Sequence, residues 1–469
     1  MRAVTAPASR RLKALLLALG VALAAPSVAL GAPAATPEHE SNTQVPAGQL
    51  YYQPGPAPDR IVLTPAADAA SGFAVSWRTD DSVSAPLLEL APLGDSPAFA
   101  ASRRISAQTL PLASETGNAH FHHARVDGLA PGSAWLYRVQ GNGRWSSWNR
   151  VVTAGGVDEP LTLLYFGDTQ NKNLSHVTRV VRQAMRQAPQ ARLALFAGDL
   201  VSGGDGQDDI EWGEWHAAAS PLLEEVVTAP AAGNHEYADL HEDTPQETTV
   251  LGPHWSRAFA LPDNGDAAVP HTSYWFDHQG VRVAVIDGTS ALEHDTGAQQ
   301  ARWLDAVLAG NTRPWSIVMV HQPLYALRAG RDNAAMIEHL GPVLERHKVD
   351  LVLHGHDHAY GRRLLAGAGS SVLVSSVAGP KQYRLSDQAK ATMAPTGEDT
   401  QFFQVLRIAA DGLDYQSFTA SGALYDAFRI QRQADGSKQL VEQEAGRIAP
   451  RNCDHRAATA KGRADRCWE

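Results

Sequence analysis

The stretch LTLLYFGD at residues 161–168 is an apolar, strand-like run that ends in a glycine and an aspartate. Four later runs have the same form, in that an apolar segment leads into a side chain of a type that binds metal ions. They lie at residues 191–199, 226–236, 315–321 and 349–358. Segments with a helical period, such as 176–188 and 299–308, occur among them. This alternation predicts βαβ units and an α/β domain, with polar side chains gathered at the carboxyl ends of its strands.

The polar residues at these strand ends are candidate metal ligands. They are Asp168, Asp199, Asn234, His321, His356 and His358. A single residue of this kind at a strand end is often structural, but five runs that all end this way are hard to explain by packing. Glycine precedes the ligand in four of the runs, which permits close approach of the ligand backbone. Oxygen and nitrogen donors without thiolate suit iron, manganese or zinc.

The same motifs resemble those of calcineurin-like metallophosphoesterases. The resemblance covers about residues 161–362 and rests on five blocks: Gly167-Asp168, Gly198-Asp199, Gly233-Asn234-His235-Glu236, Val320-His321 and Gly355-His356-Asp357-His358. Within that family the chain resembles purple acid phosphatases, because segments 274–287 and 358–362 are similar and an all-β module comes first. The resemblance implies an α/β fold, namely a two-sheet α/β/β/α metallophosphoesterase sandwich at residues 160–422. It also implies hydrolysis of phosphate monoesters at a dinuclear metal centre.

The family's metal-binding roles carry over to the matching positions of this chain. The resemblance implies that Asp199 bridges two divalent or trivalent metal ions and is essential for catalysis. Asp168 and His358 would complete the first metal site. The second site would be completed by Asn234, His321 and His356.

The resemblance also assigns residues around the metals. His235 would stabilise the transition state or protonate the leaving oxygen. Glu236 and Asp357 are expected to support the site by orienting ligand imidazoles. Aromatic residues beside the motifs are expected to line the substrate pocket: Tyr237, Tyr325 and Tyr360.

The chain departs from the family pattern at two positions. Many members have a histidine two residues after the first aspartate, where this chain has Gln170. An amide oxygen can still ligate a metal weakly, so Gln170 is included in the predicted ligand set. Purple acid phosphatases have an iron-binding tyrosine three residues after the bridging aspartate, where this chain has Ser202. The sequence therefore predicts no purple tyrosinate–iron colour.

The region before the α/β domain divides into three parts. Residues 1–32 combine a basic start, an apolar stretch and small residues, which is typical of a Sec-type signal peptide and of a secreted or periplasmic protein. The alternative, a membrane anchor, is disfavoured because the apolar stretch is short and contains Pro26. Residues 33–57 read as a linker. Short strand-like runs at 58–155 predict an all-β sandwich that resembles a fibronectin type III (Ig-like) module.

The final segment, residues 423–469, is predicted to be a C-terminal tail. It contains the chain's two cysteines, Cys453 and Cys467. In an exported protein the default interpretation is one disulfide. The alternative is a pair of reactive or metal-binding thiols.

The formal net charge is −10, which disfavours nucleic acid as a partner. No later stretch is long and apolar enough to predict stable membrane insertion. The expected partner is a small phosphate ester. Two rival functions stay open on the sequence alone: a phosphodiesterase or nucleotide hydrolase with the same site, and a non-catalytic binding or adhesion protein.

Overall fold

The fold is described from a computed structural model of the chain. It describes residues 42–46, 48–98, 101–202, 208–241, 244–365 and 371–453. The predicted signal peptide and the first part of the predicted linker lie outside these ranges. Within them, none of the helices combines the length and apolarity needed to cross a membrane.

The first domain consists of eight strands in two antiparallel sheets. The strands are β1 (Asp59–Pro65), β2 (Phe73–Asp80), β3 (Leu87–Pro92), β4 (Arg103–Ser106), β5 (Gln108–Ser114), β6 (Gly117–Val126), β7 (Ala134–Val139) and β8 (Asn149–Val152). One sheet has the order β1-β2-β6-β5 and the other β4-β3-β7-β8. Side chains of both sheets, including the fully buried Trp77 and Tyr137, share one core. The predicted all-β sandwich is therefore present.

The second domain contains two seven-stranded sheets. The strands of the first sheet are β9 (Leu161–Phe166), β10 (Leu193–Phe196), β11 (Val227–Pro230), β21 (Phe402–Ala409), β22 (Gly412–Thr419), β23 (Leu424–Arg432) and β24 (Lys438–Glu442). Those of the second are β14 (Tyr274–His278), β15 (Val281–Ile286), β16 (Trp315–Val320), β17 (Leu351–His354), β18 (Tyr360–Leu364), β19 (Val372–Ser375) and β20 (Thr396–Gly397). Strands β12 (Tyr237–Leu240) and β13 (Thr248–Leu251) form a separate hairpin.

The strands that carry the motifs are parallel within each sheet. The first sheet has the order β11-β10-β9-β21-β22-β23-β24, with β9, β10 and β11 parallel. The second has the order β14-β15-β16-β17-β19-β18-β20, with β15, β16, β17 and β19 parallel. Parallel strands are buried on both faces, which explains their nearly continuous apolar sequences.

The helices of this domain pack on the outer faces of the two sheets or against strands of the first domain. The helices are α1 (Thr178–Gln187), α2 (Asp209–Ala219), α3 (Leu222–Glu225), α4 (Trp255–Ala258), α5 (Gly288–Glu293), α6 (Gly297–Ala309), α7 (Ala334–Arg346) and α8 (Asp387–Thr392). Strand β16 shows the layering, because its successive side chains point to opposite faces. Ile317 and Met319 lie in the core between the sheets, whereas Val318 and Val320 lie in the core formed with α6 and α7. The predicted α/β/β/α sandwich is confirmed.

The structure corrects the predicted C-terminal boundary. Residues 424–442 were predicted to belong to a tail, but β23 and β24 continue the first sheet beyond β22. In the sequence, the charged residues of this segment are typical of an exposed surface segment. Asp426 is nevertheless fully buried, because Arg362 pairs with it at 2.8 Å. Cys453 is buried, but Cys467 lies outside the described residues, so the disulfide stays a prediction.

A buried ion-pair network joins the two domains at Asp209, the first residue of α2. Its carboxylate lies 2.6 Å from Arg60 Nη1 and 3.1 Å from Arg78 Nη1. It also accepts a hydrogen bond from Thr116 and lies 3.0 Å from His254 Nε2. Burial opposes ionisation, but these contacts hold the pKa of Asp209 well below its usual range. The ionised Asp209 carboxylate therefore balances the buried Arg60 guanidinium and shares Arg78 with Asp59.

Replacing Asp209 by Asn is expected to lower the free energy of unfolding by about 3 kcal/mol, because it leaves buried positive charge uncompensated. Urea unfolding near neutral pH measures the change. The exposed Asp263 provides the matched control, since Asp263→Asn is expected to change stability by less than about 0.5 kcal/mol. Equal stability of the two variants would contradict the assignment.

The Asp209 contribution also has a defined pH dependence. Because the folded-state pKa is depressed, the contribution is fully present above the unfolded-state pKa of about 4. As pH falls below about 4, Asp209 becomes protonated in the unfolded chain, whereas its carboxylate stays ionised in the native protein. The stability difference between the unmodified chain and Asp209→Asn is therefore expected to shrink in acid and stay constant above about pH 5.

Candidate metal centre

The five motif segments meet at one edge of the two sheets. Asp168 follows β9 and Asp199 follows β10, while the turn 234–236 follows β11 in the same sheet. His321 follows β16, and the segment 355–358 follows β17 in the second sheet. Because these strands are parallel within each sheet, their carboxyl ends bring the polar residues together.

Two overlapping groups of donor atoms occupy this edge. One group is Asp168, Asp199 and His358, and the other is Asp199, His321 and His356. The ligand atoms within each group all lie within 4.8 Å of one another, and Asp199 belongs to both. His358 Nε2 lies 3.0 Å from Asp168 Oδ2, and His321 Nε2 lies 3.2 Å from Asp199 Oδ1. The arrangement places one carboxylate between two potential metal positions.

Asn234 supplies an independent indication of metal binding. Its side-chain oxygen is buried, and no described residue donates a hydrogen bond to it. A buried carbonyl oxygen without a partner is destabilising, and a metal ion would relieve that cost. Asn234 is held beside the shared carboxylate, because the backbone N–H of the next residue, His235, donates to Asp199 Oδ1 at 3.0 Å.

Hydrogen bonds with residues outside the donor groups hold the candidate ligands in position. Glu236 accepts from the backbone N–H groups of Asp199 at 2.9 Å, Leu200 at 2.8 Å and Gly233 at 2.7 Å. His321 Nδ1 lies 2.7 Å from the carbonyl oxygen of Ala197. This contact leaves His321 Nε2 directed at the donor cluster. Glu236 thus supports the backbone of the shared aspartate, rather than a ligand imidazole as predicted.

The backbone at the ligands is strained. Asp199, His356 and His358 have φ values of 48°, 72° and 45°, a region that residues other than glycine rarely occupy. Close approach adds a second constraint, since a Cβ on Gly355 would overlap Asp168 Oδ1, and a Cβ on Gly233 would overlap Asp199 Oδ1. The glycines before the ligands are therefore needed for space, as the sequence indicated.

The calcineurin-like phosphoesterase family matches residues 161–360, the segment that supplies every donor described above. Residues 161–360 therefore form a calcineurin-like phosphoesterase domain. Residues 58–153 match the purple acid phosphatase N-terminal domain, which identifies the all-β domain more closely than the predicted fibronectin likeness did.

The chain has relatives among curated proteins and solved structures. An uncharacterized protein of Mycobacterium tuberculosis is 26% identical over 353 residues, covering 67% of this chain and 64% of the relative. The Fe(3+)-Zn(2+) purple acid phosphatase 12 of Arabidopsis thaliana is 26% identical over 260 residues, 52% of each chain. Purple acid phosphatase PPD1 from yellow lupin (Lupinus luteus) has the same fold, with a TM-score of 0.65 at 18% identity over 81% of this chain and 75% of that chain. The chain spans about half to two thirds of the length of these curated relatives.

Burial and mutual contact perturb the titration of the ligands. Burial, together with the nearby Asp199 carboxylate, raises the pKa of Asp168 to about 7, although the His321 imidazole opposes this shift. Burial opposes ionisation of Asp199 too, but the imidazoles of His321 and His235 lower its pKa well below the usual value. Burial lowers the pKa of His356 and that of His358 well below the usual range. Both imidazoles are therefore held neutral, which is the form that ligates metal ions.

Gln170 lies against the donor groups, and its role as a metal ligand stays a prediction. Its Nε2 donates to Asp199 Oδ2 at 2.7 Å and lies 3.1 Å from His358 Nε2. Its Oε1 accepts from Lys381 Nζ at 3.2 Å. Lys381 therefore contacts the same amide that adjoins the donor groups. No local sequence pattern connects Lys381 with Gln170.

Ser202 takes part in a polar network. Its hydroxyl accepts hydrogen bonds from Asn42 at 3.2 Å and Asn171 at 3.0 Å. Its backbone N–H donates to Glu211 at 2.6 Å. The short side chain has no phenolate, so this position cannot supply the iron ligand found in purple acid phosphatases.

The iron-loaded protein is expected to lack the intense visible absorption of a tyrosinate–iron bond. The visible spectrum after iron loading checks this expectation, with elemental analysis as the control that iron is bound. An intense visible band in an iron-containing sample would contradict it.

The three tyrosines predicted to contact substrate have different surroundings. Tyr360 is fully buried, and its hydroxyl donates to Asp426 Oδ2 at 2.7 Å, so it is a core residue and the prediction is wrong. Tyr237 is also buried, with its hydroxyl bonded to Asp287. Tyr325 is half-buried, and Arg363 Cζ lies 3.6 Å from its ring centre. Of the three, Tyr325 alone remains a proposed substrate contact.

Sequence analysis missed four residues beside the centre. Tyr383 packs against the ligand His358, with ring centres 4.7 Å apart. Around it lie the basic side chains of Arg328, Arg331 and Lys381. They lie in irregular segments after β16 and β19, where no periodic pattern marks them.

Asp357, predicted to orient an imidazole, instead accepts hydrogen bonds from the backbone N–H groups of Leu327 and Arg328 and pairs with Arg331.

Proposed function

We propose that the protein hydrolyses small phosphate monoesters with two metal ions. The observation that carries this proposal is the sharing of Asp199 between two groups of buried donors. The unpartnered oxygen of Asn234 supports it, since that atom completes the second group. The proposed ligands are Asp168, Asp199, Asn234, His321, His356 and His358.

Two bound metal ions would supply Lewis-acid stabilisation of phosphoryl charge and a lowered pKa for water. The chain's own residues hold and position the reactants. Asp199 would hold the two positions together, and Glu236 fixes its backbone by hydrogen bonds from two successive N–H groups. Asp168 Oδ1 accepts from the backbone N–H of His356 at 2.6 Å, which ties the two sheets together at the centre.

His235 is the proposed general acid. It follows the ligand Asn234 directly, and its backbone is anchored to Asp199. Its side chain is half-buried, unlike the fully enclosed ligand His321, and so can reach a substrate. This imidazole would donate a proton to the leaving ester oxygen, so that the leaving group departs as an alcohol and not as an alkoxide.

The proposed metals are iron, manganese or zinc. The donors are carboxylate, amide and imidazole groups, which suit these ions better than softer metals. A secreted or periplasmic location is also proposed, on the composition of residues 1–32.

The test compares initial rates on matched chromogenic phosphate mono- and diesters across pH 4 to 9. The protein is first treated with chelator and then supplied with manganese, zinc or iron. Turnover of the monoester that returns with metal would support the proposal. Faster turnover of the diester would replace it by a phosphodiesterase or nucleotide hydrolase. No turnover of either ester by metal-containing protein would favour a binding role.

A further inference from the structure

Three basic side chains surround Tyr383 beside the metal centre. Arg328 Cζ lies 4.4 Å from the centre of the Tyr383 ring, Arg331 Cζ lies 5.8 Å away and Lys381 Nζ 5.7 Å away. The same ring lies 4.7 Å, centre to centre, from the imidazole of the ligand His358. We name Arg328, Arg331, Lys381 and Tyr383 the Tyr383 cluster.

One side of the Tyr383 cluster is fixed by hydrogen bonds to the metal-binding motifs. The backbone N–H of Gly379 donates to the carbonyl oxygen of Asp168 at 2.6 Å. The N–H of Tyr383 donates to the carbonyl oxygen of His358 at 3.1 Å, and the carbonyl oxygen of Lys381 lies 2.9 Å from His358 Nδ1. Lys381 is therefore placed by the same contacts that orient a ligand.

The other side is fixed by Asp357, which lies between two ligands in the sequence. The backbone N–H groups of Leu327 and Arg328 donate to its Oδ2, and its Oδ1 lies 3.1 Å from Arg331 Nε. Asp357 is fully buried. The arginines therefore have defined positions relative to the centre, which is a requirement for recognising a charged group precisely.

The Tyr383 cluster carries an excess of positive charge. In the described part of the chain, Arg331 has a carboxylate partner, Asp357, but neither Arg328 nor Lys381 has one within 4.0 Å. Lys381 Nζ donates instead to the neutral Oε1 of Gln170. This local excess lies in a chain of formal net charge −10. Like charges held together are unfavourable without an anion, so the arrangement is typical of an anion site.

We propose that the Tyr383 cluster binds a second phosphate group of the substrate, so that the preferred esters are those whose leaving group is itself phosphorylated. This inference rests on the proposed function. Guanidinium groups present paired N–H donors that match phosphate oxygens. Stacking on Tyr383 holds the Arg328 guanidinium while leaving its N–H groups available. Lys381 lies on the side nearer the centre, since the Gln170 amide that it contacts donates to Asp199 at 2.7 Å.

The first test measures kcat/KM of the metal-loaded full chain for glucose 1,6-bisphosphate and glucose 6-phosphate. Arg328→Gln is expected to lower the ratio of the two constants about tenfold, the size of one charge-assisted hydrogen bond. The matched control is Arg432→Gln, because Arg432 is exposed at the end of β23 opposite to the metal centre. The control is expected to leave the ratio unchanged. An unchanged ratio in Arg328→Gln would overturn the inference.

A second test measures binding without turnover and separates recognition from a structural role of the arginine. Calorimetry gives Kd for glucose 1,6-bisphosphate with metal-loaded full chain in which His235→Asn slows hydrolysis. Adding Arg328→Gln or Lys381→Gln is expected to weaken binding about tenfold each, with a smaller difference at high salt.

The two tests together distinguish a failure of this inference from a failure of the proposed function. If neither ester is hydrolysed but bisphosphate binding depends on Arg328, the proposed function is wrong and the Tyr383 cluster is still an anion site. If the monophosphate is hydrolysed while both the ratio and the Kd are indifferent to Arg328 and Lys381, the inference is wrong and the proposed function stands.

Discussion

Replacing Asp199 by Asn is expected to reduce kcat/KM for a phosphate monoester by a factor of about 1,000 or more. The shared carboxylate belongs to both donor groups, so its neutralisation would remove a charged ligand from both proposed metal positions at once. Metal ions contribute several kcal/mol of transition-state stabilisation in such reactions, and each 1.4 kcal/mol is tenfold in rate. Elemental analysis should show fewer than two metal ions per chain in the variant.

Asp295 offers a control that matches the backbone as well as the chemistry. It has a φ of 54°, close to the 48° of Asp199, but it is exposed. Asn tolerates this backbone region, so neither variant should lose its fold for that reason. Asp295→Asn is expected to keep full activity and metal content. Undiminished hydrolysis by folded Asp199→Asn would show that Asp199 is not part of the metal centre.

His235→Asn is expected to lower kcat for alkyl phosphates by about 100-fold or more while leaving the metal content unchanged. The change removes the proposed proton donor but keeps the backbone N–H that anchors the segment to Asp199. General acids contribute about 100- to 10,000-fold when the leaving group is poor. The loss on 4-nitrophenyl phosphate should be smaller, because nitrophenolate leaves without protonation.

This dependence on the leaving group distinguishes acid catalysis from simple damage to the site. The exposed His271 provides the control, and His271→Asn should affect neither substrate. An equal loss on alkyl and nitrophenyl phosphates would mean that His235 acts otherwise, for example by stabilising charge on the phosphoryl group.

The sequence was sufficient to predict the α/β/β/α layering and the residues that meet at the sheet edge. Both follow from local patterns, because an apolar strand followed by glycine and a ligand places that ligand at a known end of the strand. Strand β16 illustrates this, since its apolar run and terminal His321 are read from consecutive residues.

The failures concern side chains whose surroundings come from distant segments. The contact between Gln170 and Lys381 could not be predicted, because no local pattern connects the two residues. Tyr360 was predicted to contact substrate, yet its hydroxyl is satisfied in the core by Asp426, in a strand that was assigned to the tail. Local periodicity does not encode such pairings, which arise only when the sheets are assembled.

The order of strands in the first sheet has a consequence for the synthesis of the chain. Strand β9 pairs with β10 on one side and with β21 on the other, where Leu164 lies opposite Val405. Most of the second domain must therefore leave the ribosome before β9 acquires its second neighbour. Until then β9 is an apolar edge strand, and such edges pair readily with other chains. Truncations that remove β21 to β24 are therefore expected to lower the solubility of the chain, although they leave every proposed metal ligand in place.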